Sequence, residues 1–488
     1  MATPIPKNQA PFSLAELVLA TRGQLAHRGA DSSFRGVSTD SRAVVPGEIF
    51  VALKGETFDG HDHVQGALAR GARAVIVERD VQVIDGVSVV RVEDSLISLG
   101  ELAHFHRWRF ARSGFLPSRP RVVGITGSAG KTTTRHATEQ LLSLAGGNVH
   151  SSVGNLNNAI GVPMTLLGLR AEHTFAIVEM GMNRPGEIAH LARITAPDVG
   201  VLTLVAEAHT SGVGSLAGVA FEKSELLAAL GSAGAAIVNG DGEWARGGLA
   251  RSRAGRHIVY GECADADVRL LERVPRGLAG SDVRVQIRAG DGEPIVIEAR
   301  LPLLGRAGVY AALAAIAVAS AFEPLARGLG VLEPLATLLP QLSSGEAGRL
   351  AAQERADGTV VIDDAYNANP ASMMSSIEAA SEIAASLERG LVLVLGPMFE
   401  LGAQSDELHE AVGRRAAAAS PRVIVVCGAA EPLARAAEAA GATVIRAADA
   451  TLAESATLNA VEARDVVLVK ASNSVGLSRV ARKLMEVA

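Results

Sequence analysis

Short apolar runs alternate with helix-patterned segments along most of this chain. Each run is closed by turn residues, which is typical of a buried strand, and the segments between them carry apolar residues at helical spacing. Alternation of this kind predicts parallel sheets with helices on both faces. The runs that predict strands are residues 49–53, 74–77, 122–126, 174–179, 199–205, 235–239, 360–363, 390–395, 423–427, 443–445 and 465–469.

Other patterns refine this picture. Residues 64–70 and 94–110 predict helices, and the period-two pattern within 268–299 predicts an antiparallel excursion. Residues 311–322 are apolar all round but only about half the ~20 residues that a membrane span needs, so we expect a buried core helix there. We therefore predict an α/β protein without membrane insertion. Its three domains would be a small N-terminal one over 1–92, a central one over 93–338 and a C-terminal one over 339–488.

The segment GITGSAGKTTT, residues 124–134, follows a predicted strand and opens a predicted helix. Glycines let the backbone approach a phosphate closely, and the N–H groups of the loop and helix then point at the anion. Lys131 can reach terminal phosphates, and the Thr132 hydroxyl can bind Mg²⁺. The strict pattern has Gly six residues before the Lys, where Ile125 stands, so the motif is a shortened variant. The predicted nucleotide-binding residues of the loop are Gly127, Ser128, Ala129, Gly130, Lys131, Thr132 and Thr133.

Bulk composition narrows the class of protein. Among 488 residues the net charge is −6, without a dense basic cluster, which argues against a nucleic-acid partner. Cys263 and Cys427 lie far apart and form neither a metal-ligand nor a redox spacing. Because the N-terminus also lacks a signal-peptide pattern, we expect a cytoplasmic protein.

Several polar residues follow predicted strands, where ligands of parallel sheets bind. Glu179 ends such a strand and is a candidate Mg²⁺ ligand. His209 follows the next strand but could equally be structural, and Lys223 on a helix could be a solvated charge. In the last segment Arg349 could neutralise phosphate charge and Asp364 could hold a ribose or a water, whereas Asn367 has a strong alternative as a turn residue. The polar run 151–161 is either a substrate loop or an ordinary one.

Taken together, these motifs resemble the Mur ligase family nearly end to end. They are VSTDSRAVVPGEIFVALKGETFDGHDHV at 37–64, GITGSAGKTTT, GNLNNAIGVPMTLL at 154–167, EMGMNRPGEI at 179–188, LPLLGR at 301–306, DDAYNANPASM at 363–373, VLGPMFELG at 394–402 and VKASNSVGLSRV at 469–480. GNLNN and DDAYNANP point to the member that adds D-alanyl-D-alanine to UDP-N-acetylmuramoyl-tripeptide. The resemblance implies a UDP-sugar domain, a central ATPase domain and a C-terminal Rossmann-like domain.

The resemblance also assigns roles. It implies an ATP- and Mg²⁺-dependent amide ligase that acts through an acyl phosphate, and it gives Lys131, Lys223, His209, Arg349 and Asp364 catalytic roles. Thr132, Glu179, His209 and a CO₂-derived carbamate on Lys223 would bind the metal. Arg349, Asp364, Tyr366 and Asn367 would complete the ATP site. The residues implied for the UDP-sugar and peptide substrate are Ser38, Asp40, Ser41, Arg42, Asp59, His61, Asn155, Asn157 and Asn158.

The chain departs from the family pattern at two places. Ala307, Gly308 and Ala311 stand where the family has a His-Asn pair and a second Asn, which contacts adenine in relatives. Pro397 replaces an acidic residue of a VLGDM-type segment. At this stage four alternatives stay open: the sibling ligase that adds the third residue, folylpolyglutamate synthase, a non-ligase phosphate-loop NTPase, and an inactive paralogue. We expect a monomer.

Overall fold

The computed structural model describes residues 3–82, 84–112, 119–207, 210–288, 293–322, 334–343 and 348–486. Its strands are β1 Pro11–Ser13, β2 Gln24–His27, β3 Ser33–Arg35, β4 Val37–Ser38, β5 Ile49–Val51, β6 Ala74–Val77, β7 Ser88–Arg91, β8 Arg121–Thr126, β9 Val149–Ser151, β10 Phe175–Glu179, β11 Val199–Leu202, β12 Ala235–Asn239, β13 Arg256–Gly261, β14 Val268–Pro275, β15 Ser281–Ile287, β16 Ile295–Leu301, β17 Ala351–Glu354, β18 Val360–Asp363, β19 Leu391–Leu395, β20 Val423–Cys427, β21 Val444–Ala447 and β22 Val466–Lys470.

The α-helices connect these strands. They are α1 Leu14–Thr21, α2 Val64–Ala69, α3 Ser95–Arg112, α4 Lys131–Leu144, α5 Gly161–Leu167, α6 Glu187–Thr195, α7 Thr210–Val213, α8 Leu216–Ala228, α9 Glu243–Gly247, α10 Gly305–Ala321, α11 Leu335–Leu338, α12 Pro370–Leu387, α13 Ser405–Ala418, α14 Glu431–Ala439, α15 Ala450–Ala460 and α16 Ser478–Glu486. Within the described chain, no helix combines the length and the apolar character that crossing a membrane requires.

The chain divides into two compact units, of which the first comprises Met1–Gly124, Gly147–Met182 and Gly186–Asp198. It contains a five-stranded sheet of order β2-β7-β6-β5-β4, in which only β2 runs antiparallel to its neighbour. Phe50 and Val75 of this sheet pack with Val64 and Leu68 of α2 in one apolar core. Strands β8, β10 and β9 lie side by side in that order, and Glu179 is the last residue of β10.

The second unit comprises Ile125–Gly146, Asn183–Pro185 and Val199–Ala488. Strands β11, β12 and β13 are parallel, whereas β14, β15 and β16 form an antiparallel run, as the period-two pattern predicted. A separate six-stranded sheet has the order β17-β18-β22-β19-β20-β21 and is parallel except at β17. The predicted fold class, an α/β protein with more than one parallel sheet, is confirmed.

Most predicted elements are found, several with unchanged bounds. Strands β6, β12, β18 and β20 begin and end where the sequence predicted. Strand β11 instead ends at Leu202, because the next residues bond the phosphate loop: Thr203 N–H donates to Thr126 O and Leu204 O accepts from Ser128 N–H. Strand β17 was not predicted. It lies at a sheet edge and is only partly buried, and such a strand lacks the apolar run that marks a buried one.

Helix α10 is the predicted all-round apolar helix. Every residue from Ala311 to Ser320 is buried, and the helix packs on α4 and on β13. Alanine and glycine allow this close packing because they add little volume at the contact. At Gly308 the space is used up, since a Cβ atom there would lie 2.7 Å from Leu303 Cβ and 3.0 Å from the Leu303 carbonyl carbon.

Two glycine-to-alanine changes in helices should therefore have opposite signs. Alanine in place of a helical glycine ordinarily stabilises by about 0.4–1 kcal/mol, whereas overpacking costs about 1–3 kcal/mol. We expect Gly308→Ala to lower the free energy of unfolding. Gly66→Ala in α2, where a Cβ would meet nothing within 4 Å, should raise it. Chemical denaturation of both variants checks this, and equal stabilisation of the two would show that the Gly308 contact relaxes freely.

Candidate active site

The phosphate loop packs tightly against the segment that follows β11. A Cβ atom at Gly127 would overlap Thr203 Oγ1 and would lie 3.1 Å from the backbone N and O of Leu204. Thr203 Oγ1 also donates a 2.6 Å hydrogen bond to Ala129 O. Glycine is therefore required at 127 by close approach, and the loop is held by the strand end beside it.

Ser128 of this loop is bonded through its N–H, its hydroxyl and its carbonyl. Its N–H donates to Leu204 O at 2.6 Å, and its hydroxyl both donates to Ala206 O at 2.8 Å and accepts from Ala206 N–H at 3.0 Å. Its carbonyl accepts from Asn369 Nδ2 at 3.0 Å. Because Ser128 is buried, its polar groups bond protein atoms instead of water, and these bonds fix the shape of the loop.

Helix α4 begins directly after the loop. Gly130 caps it with a positive φ of 82°, a conformation that favours glycine. Lys131 is the first helical residue, and its Nζ donates a 2.7 Å hydrogen bond back to Gly127 O. Thr132 is buried and Thr133 half-buried in the first turn. The helix N-terminus thus places backbone N–H groups and the Lys131 ammonium together, which suits a polyphosphate.

Lys223 lies on α8 and is fully buried, not solvated as a surface lysine would be. Burial, reinforced by the positive charge of Lys131, holds the pKa of Lys223 well below its usual range. A buried amine with a lowered pKa can be neutral near physiological pH. The burial of Lys223 therefore favours the neutral amine over the ammonium.

Asp364, which follows β18, is held by three protein donors. Its Oδ2 accepts from Lys470 Nζ and from Ser376 Oγ, both at 2.5 Å, and its Oδ1 accepts from Leu350 N–H at 3.1 Å. Lys470 is itself buried and also donates to Asn367 O at 3.0 Å. A carboxylate has about four acceptor sites, and the donors within the described part of the chain occupy three of them.

Arg349 and Tyr366 form a cation–π pair in the same unit. The Arg349 guanidinium carbon lies 4.2 Å from the centroid of the Tyr366 ring. Tyr366 N–H donates to Gly348 O at 3.2 Å, which ties the segment before Arg349 to the segment after Asp364. The predicted C-terminal residues Arg349, Asp364, Tyr366 and Asn367 are therefore brought together.

In the first unit, two predicted site residues touch. Asn157 Nδ2 donates a 2.8 Å hydrogen bond to Glu179 Oε1, and Glu179 N–H bonds Ser152 Oγ at 3.1 Å. Gly181 N–H donates to Asn157 O at 2.8 Å. Asn157 therefore orients the buried Glu179 carboxylate. The sequence predicted Asn157 as a substrate contact and Glu179 as a metal ligand, and in the structure the two side chains are hydrogen-bonded to each other.

Sequence comparison with known families decides the family. Residues 33–106 match the model for the Mur ligase family catalytic domain, residues 125–319 the Mur ligase middle domain, and residues 348–473 the Mur ligase glutamate ligase domain. The UDP-N-acetylmuramoyl-tripeptide–D-alanyl-D-alanine ligase of Escherichia coli strain K12 is 36% identical over 415 residues, covering 83% of this chain and 84% of the relative. The chain belongs to the Mur ligase family.

Solved structures agree with this assignment. A crystal structure of MurF from Acinetobacter baumannii has a TM-score of 0.84 at 30% identity and covers 98% of this Mur ligase and 100% of that chain. MurF from Thermotoga maritima in complex with ADP has a TM-score of 0.76 at 28% identity, covering 92% and 97%. The predictions of the family and of an ATP-dependent ligase are thus confirmed, and a non-ligase NTPase is not supported.

The N-terminal residues predicted for the UDP-sugar lie in two turns of this Mur ligase. Arg42 forms a bidentate pair with Asp40, both bonds at 2.9 Å, and this pairing lowers the pKa of Asp40. The buried Ser38 bonds the Asp40 backbone, and Ser41 is half-buried beside them. Since the Arg42 side chain is 86% exposed, it is accessible to a ligand.

His61 is different, because its side chain is only 1% exposed. Its Nδ1 is 2.6 Å from Asp59 Oδ1, and its Nε2 accepts from Glu78 N–H at 2.8 Å. The His61 backbone N–H also donates to Asp59 Oδ1 at 2.9 Å, and this bond, followed by the one from the ring, lowers the pKa of Asp59 to about 2. Neither ring nitrogen can reach a substrate without breaking a bond, so the geometry favours a structural role for His61.

The remaining predicted residues have varied positions. Asn158 Oδ1 accepts from Ile160 N–H and Gly161 N–H at the start of α5, and Asn155 Oδ1 accepts from Thr3 Oγ1 at 2.6 Å. His209 lies outside the described residues. Within the described ranges, no group of three or more His, Cys, Asp and Glu side chains is arranged to hold a metal.

Three residues that bond in this site were not among the predicted site residues, although Asn369 was weighed beside Asn367 as either a site residue or a turn residue. Lys470 ends β22 in VKAS, Asn369 precedes the Pro of NANP, and Thr203 follows β11. A lysine that ends an otherwise apolar strand was the signal for Lys470, since a strand with such burial needs a partner for the charge. Asn369 and Thr203 act across long sequence separations that no local pattern reveals.

The Gly127 contact yields a test with a built-in rescue. We expect Gly127→Ala to weaken ATP binding strongly, because the added methyl group displaces the loop. The double variant Gly127→Ala/Thr203→Ala removes the overlapping Oγ1 and should recover part of the loss. The Thr203→Ala variant alone measures the cost of the lost bond to Ala129 O. Calorimetric titration with a non-hydrolysable ATP analogue checks this, and a double variant no better than Gly127→Ala would contradict the proposed overlap.

Proposed function

We propose that this Mur ligase joins D-alanyl-D-alanine to the terminal carboxylate of UDP-N-acetylmuramoyl-tripeptide with consumption of ATP, giving the pentapeptide precursor of peptidoglycan. The observation that carries the proposal is the similarity, over most of the chain, to enzymes named UDP-N-acetylmuramoyl-tripeptide–D-alanyl-D-alanine ligase. The bonded phosphate loop and the neighbouring buried Lys223 support the ATP-dependent part of the reaction.

In the first step a carboxylate oxygen of the tripeptide attacks the γ-phosphorus of ATP, and the bond to the β-phosphate oxygen breaks to release ADP. Catalysis of phosphoryl transfer is mostly positioning and charge neutralisation. The loop N–H groups and Lys131 would hold the phosphates, which requires Lys131 Nζ to exchange its bond to Gly127 O for a phosphate oxygen. Arg349 would neutralise charge from the C-terminal segment.

In the second step the amine of D-alanyl-D-alanine attacks the acyl carbon. The tetrahedral intermediate collapses to the amide as the phosphate leaves, and the amine loses its proton. An acyl phosphate reacts with water, so the site must exclude water at this stage. The last acceptor site of Asp364 would be available to a ribose hydroxyl or an ordered water of the nucleotide.

The side chains proposed for Mg²⁺ have suitable chemistry. Thr132 offers a hydroxyl and Glu179 a buried carboxylate, and Mg²⁺ prefers a few protein oxygens completed by phosphate and water. Mg²⁺, when bound, would lower the negative charge of the phosphates. Asn157 supports this assignment, because its amide fixes one Glu179 oxygen. The metal roles of Thr132, Glu179 and His209 stay predictions.

A carbamate on Lys223 is the remaining predicted ligand. A neutral Lys223 amine would attack CO₂, forming an N–C bond and releasing a proton, and the product is an anion in place of a potential cation. The carbamate would offset the positive charge of Lys131. Complete burial and the lowered pKa of Lys223 support this proposal.

The alternatives differ in what supports them. Curated relatives with the D-alanyl-D-alanine ligase name favour this reaction over the sibling ligase and over folylpolyglutamate synthase. Ala307, Gly308 and Ala311 leave no side-chain amide at those positions, so adenine would be held by other groups. The bounds of the three domains, a cytoplasmic location and a monomeric state stay predictions from the sequence.

The proposed reaction predicts a strict requirement for every component. Phosphate release from ATP should require UDP-N-acetylmuramoyl-tripeptide, D-alanyl-D-alanine and Mg²⁺ together, and chelation of Mg²⁺ should abolish it. Mass spectrometry should identify the UDP-linked pentapeptide as product. Folded protein that releases no phosphate with the full set would instead indicate an inactive paralogue, and release with a different amine acceptor would indicate another ligase.

Carbamate formation predicts a carbon resonance that depends on one lysine. With ¹³C-labelled bicarbonate, the wild-type protein should show a carbamate carbon that is absent from Lys223→Gln and retained in Lys483→Gln, which changes a half-exposed lysine. Because only the neutral amine reacts, the resonance should weaken as pH falls through the lowered pKa of Lys223. A signal that persists in Lys223→Gln would refute the assignment.

A further inference from the structure

One side chain connects the C-terminal sheet to the phosphate loop. Asn369 is the N-cap of α12, and its Nδ2 donates the 3.0 Å hydrogen bond to Ser128 O. Both residues are buried, although they lie 241 positions apart in the sequence. Neither residue's contact was expected, since Asn before Pro usually marks a turn.

Helix capping alone does not explain an asparagine here. Asn369 Oδ1 accepts from Ser372 N–H at 2.9 Å, and Ser372 Oγ accepts in return from Asn369 N–H at 3.1 Å. Asp and Ser cap helices about as well as Asn. Of these three, only Asn also carries an amide donor, and that donor is the group that reaches Ser128.

The bond to Ser128 O fixes the orientation of one peptide group in the loop. A trans peptide is planar, so its C=O and N–H point in opposite directions. With Ser128 O held by Asn369, the Ala129 N–H must point away from α12. The next peptide is fixed separately, because Ala129 O accepts from Thr203 Oγ1. Two consecutive loop N–H groups are thus oriented by two different parts of the fold.

Asn369 is itself tied to the C-terminal sheet through Lys470. This buried lysine ends β22 and bonds Asp364 Oδ2 and Asn367 O, at the start and middle of the segment that leads to Asn369. The chain from Asp364 to Asn369 is therefore anchored at one end to the sheet and at the other to the phosphate loop.

We propose that Asn369 is a positioning residue for nucleotide binding, which couples the shape of the phosphate loop to the seating of the C-terminal sheet. The inference rests on the proposed function only in that the loop binds ATP phosphates. Its specific content is that the Asn369 amide, rather than its capping oxygen, sets the affinity of the loop for the nucleotide.

Three variants separate the two bonds of this side chain. Asn369→Asp keeps an acceptor for Ser372 N–H but cannot donate to Ser128 O. Asn369→Ser keeps the cap with a side chain too short for the loop. The matched control, Ser372→Ala, removes the capping bond from Asn369 N–H to Ser372 Oγ, keeps the bond from the backbone N–H of residue 372 to Asn369 Oδ1, and leaves the Asn369 amide in place. Thermal unfolding of each full-length variant reports on folding.

We expect the dissociation constant for a non-hydrolysable ATP analogue with Mg²⁺, measured by calorimetry, to rise on the order of ten-fold in both Asn369 variants, since an unpaired buried carbonyl carries a penalty of that order. Ser372→Ala should stay within about two-fold of wild type. The KM for ATP should rise in parallel, while the KM for the UDP-linked substrate stays unchanged.

Two results would overturn the inference. One is wild-type nucleotide affinity in Asn369→Asp and Asn369→Ser. The other is an equal loss in Ser372→Ala, which would assign the effect to helix capping. Failure of the proposed function has a separate signature, because wild-type protein would then bind no ATP analogue or would bind it without forming the pentapeptide.

Discussion

The site depends on the contact between the phosphate loop and the segment that follows the carboxyl end of β11. The space between Gly127 and Thr203 leaves no room for a side chain. The backbone of residues 204–206 also forms hydrogen bonds with the N–H and the hydroxyl of Ser128. A loop held this way reaches its ligand already shaped, so that little conformational entropy is lost on binding. The same contact explains why β11 is shorter than its apolar run.

The buried lysines of the second unit differ in how their charge is compensated. Lys131 and Lys223 are close enough for one to lower the pKa of the other, whereas Lys470 is neutralised by Asp364. Removing one partner of a buried ion pair leaves an uncompensated charge, which destabilises the fold. The Lys470–Asp364 pair is therefore expected to be a permanent part of the structure. For Lys223 both causes of the pKa shift, burial and the positive charge of Lys131, disfavour the ammonium form.

Sequence patterns predicted what depends on neighbouring residues. Buried strands such as β12 and β20, the apolar helix α10 and the glycine-rich loop are all local signals, and each is found where expected. Edge strand β17 was not predicted because it lacks an apolar run. In the site, the sequence identified Asp364 but not Lys470, and Ser128 but not Asn369, because each partner is set by tertiary packing. His61 is a polar motif residue whose ring nitrogens are bonded to Asp59 and Glu78, a pairing that no local pattern indicates, and its substrate role stays a prediction.

The close packing at Gly308 limits which residues α10 can accept. Gly308 and Ala311 are buried in this helix, and Leu303 lies against Gly308. A polar side chain as large as asparagine at Gly308 would enter space that Leu303 already occupies. Such a change is therefore tolerated only together with a smaller side chain or a shift at Leu303, so that the two positions can vary jointly but not one at a time.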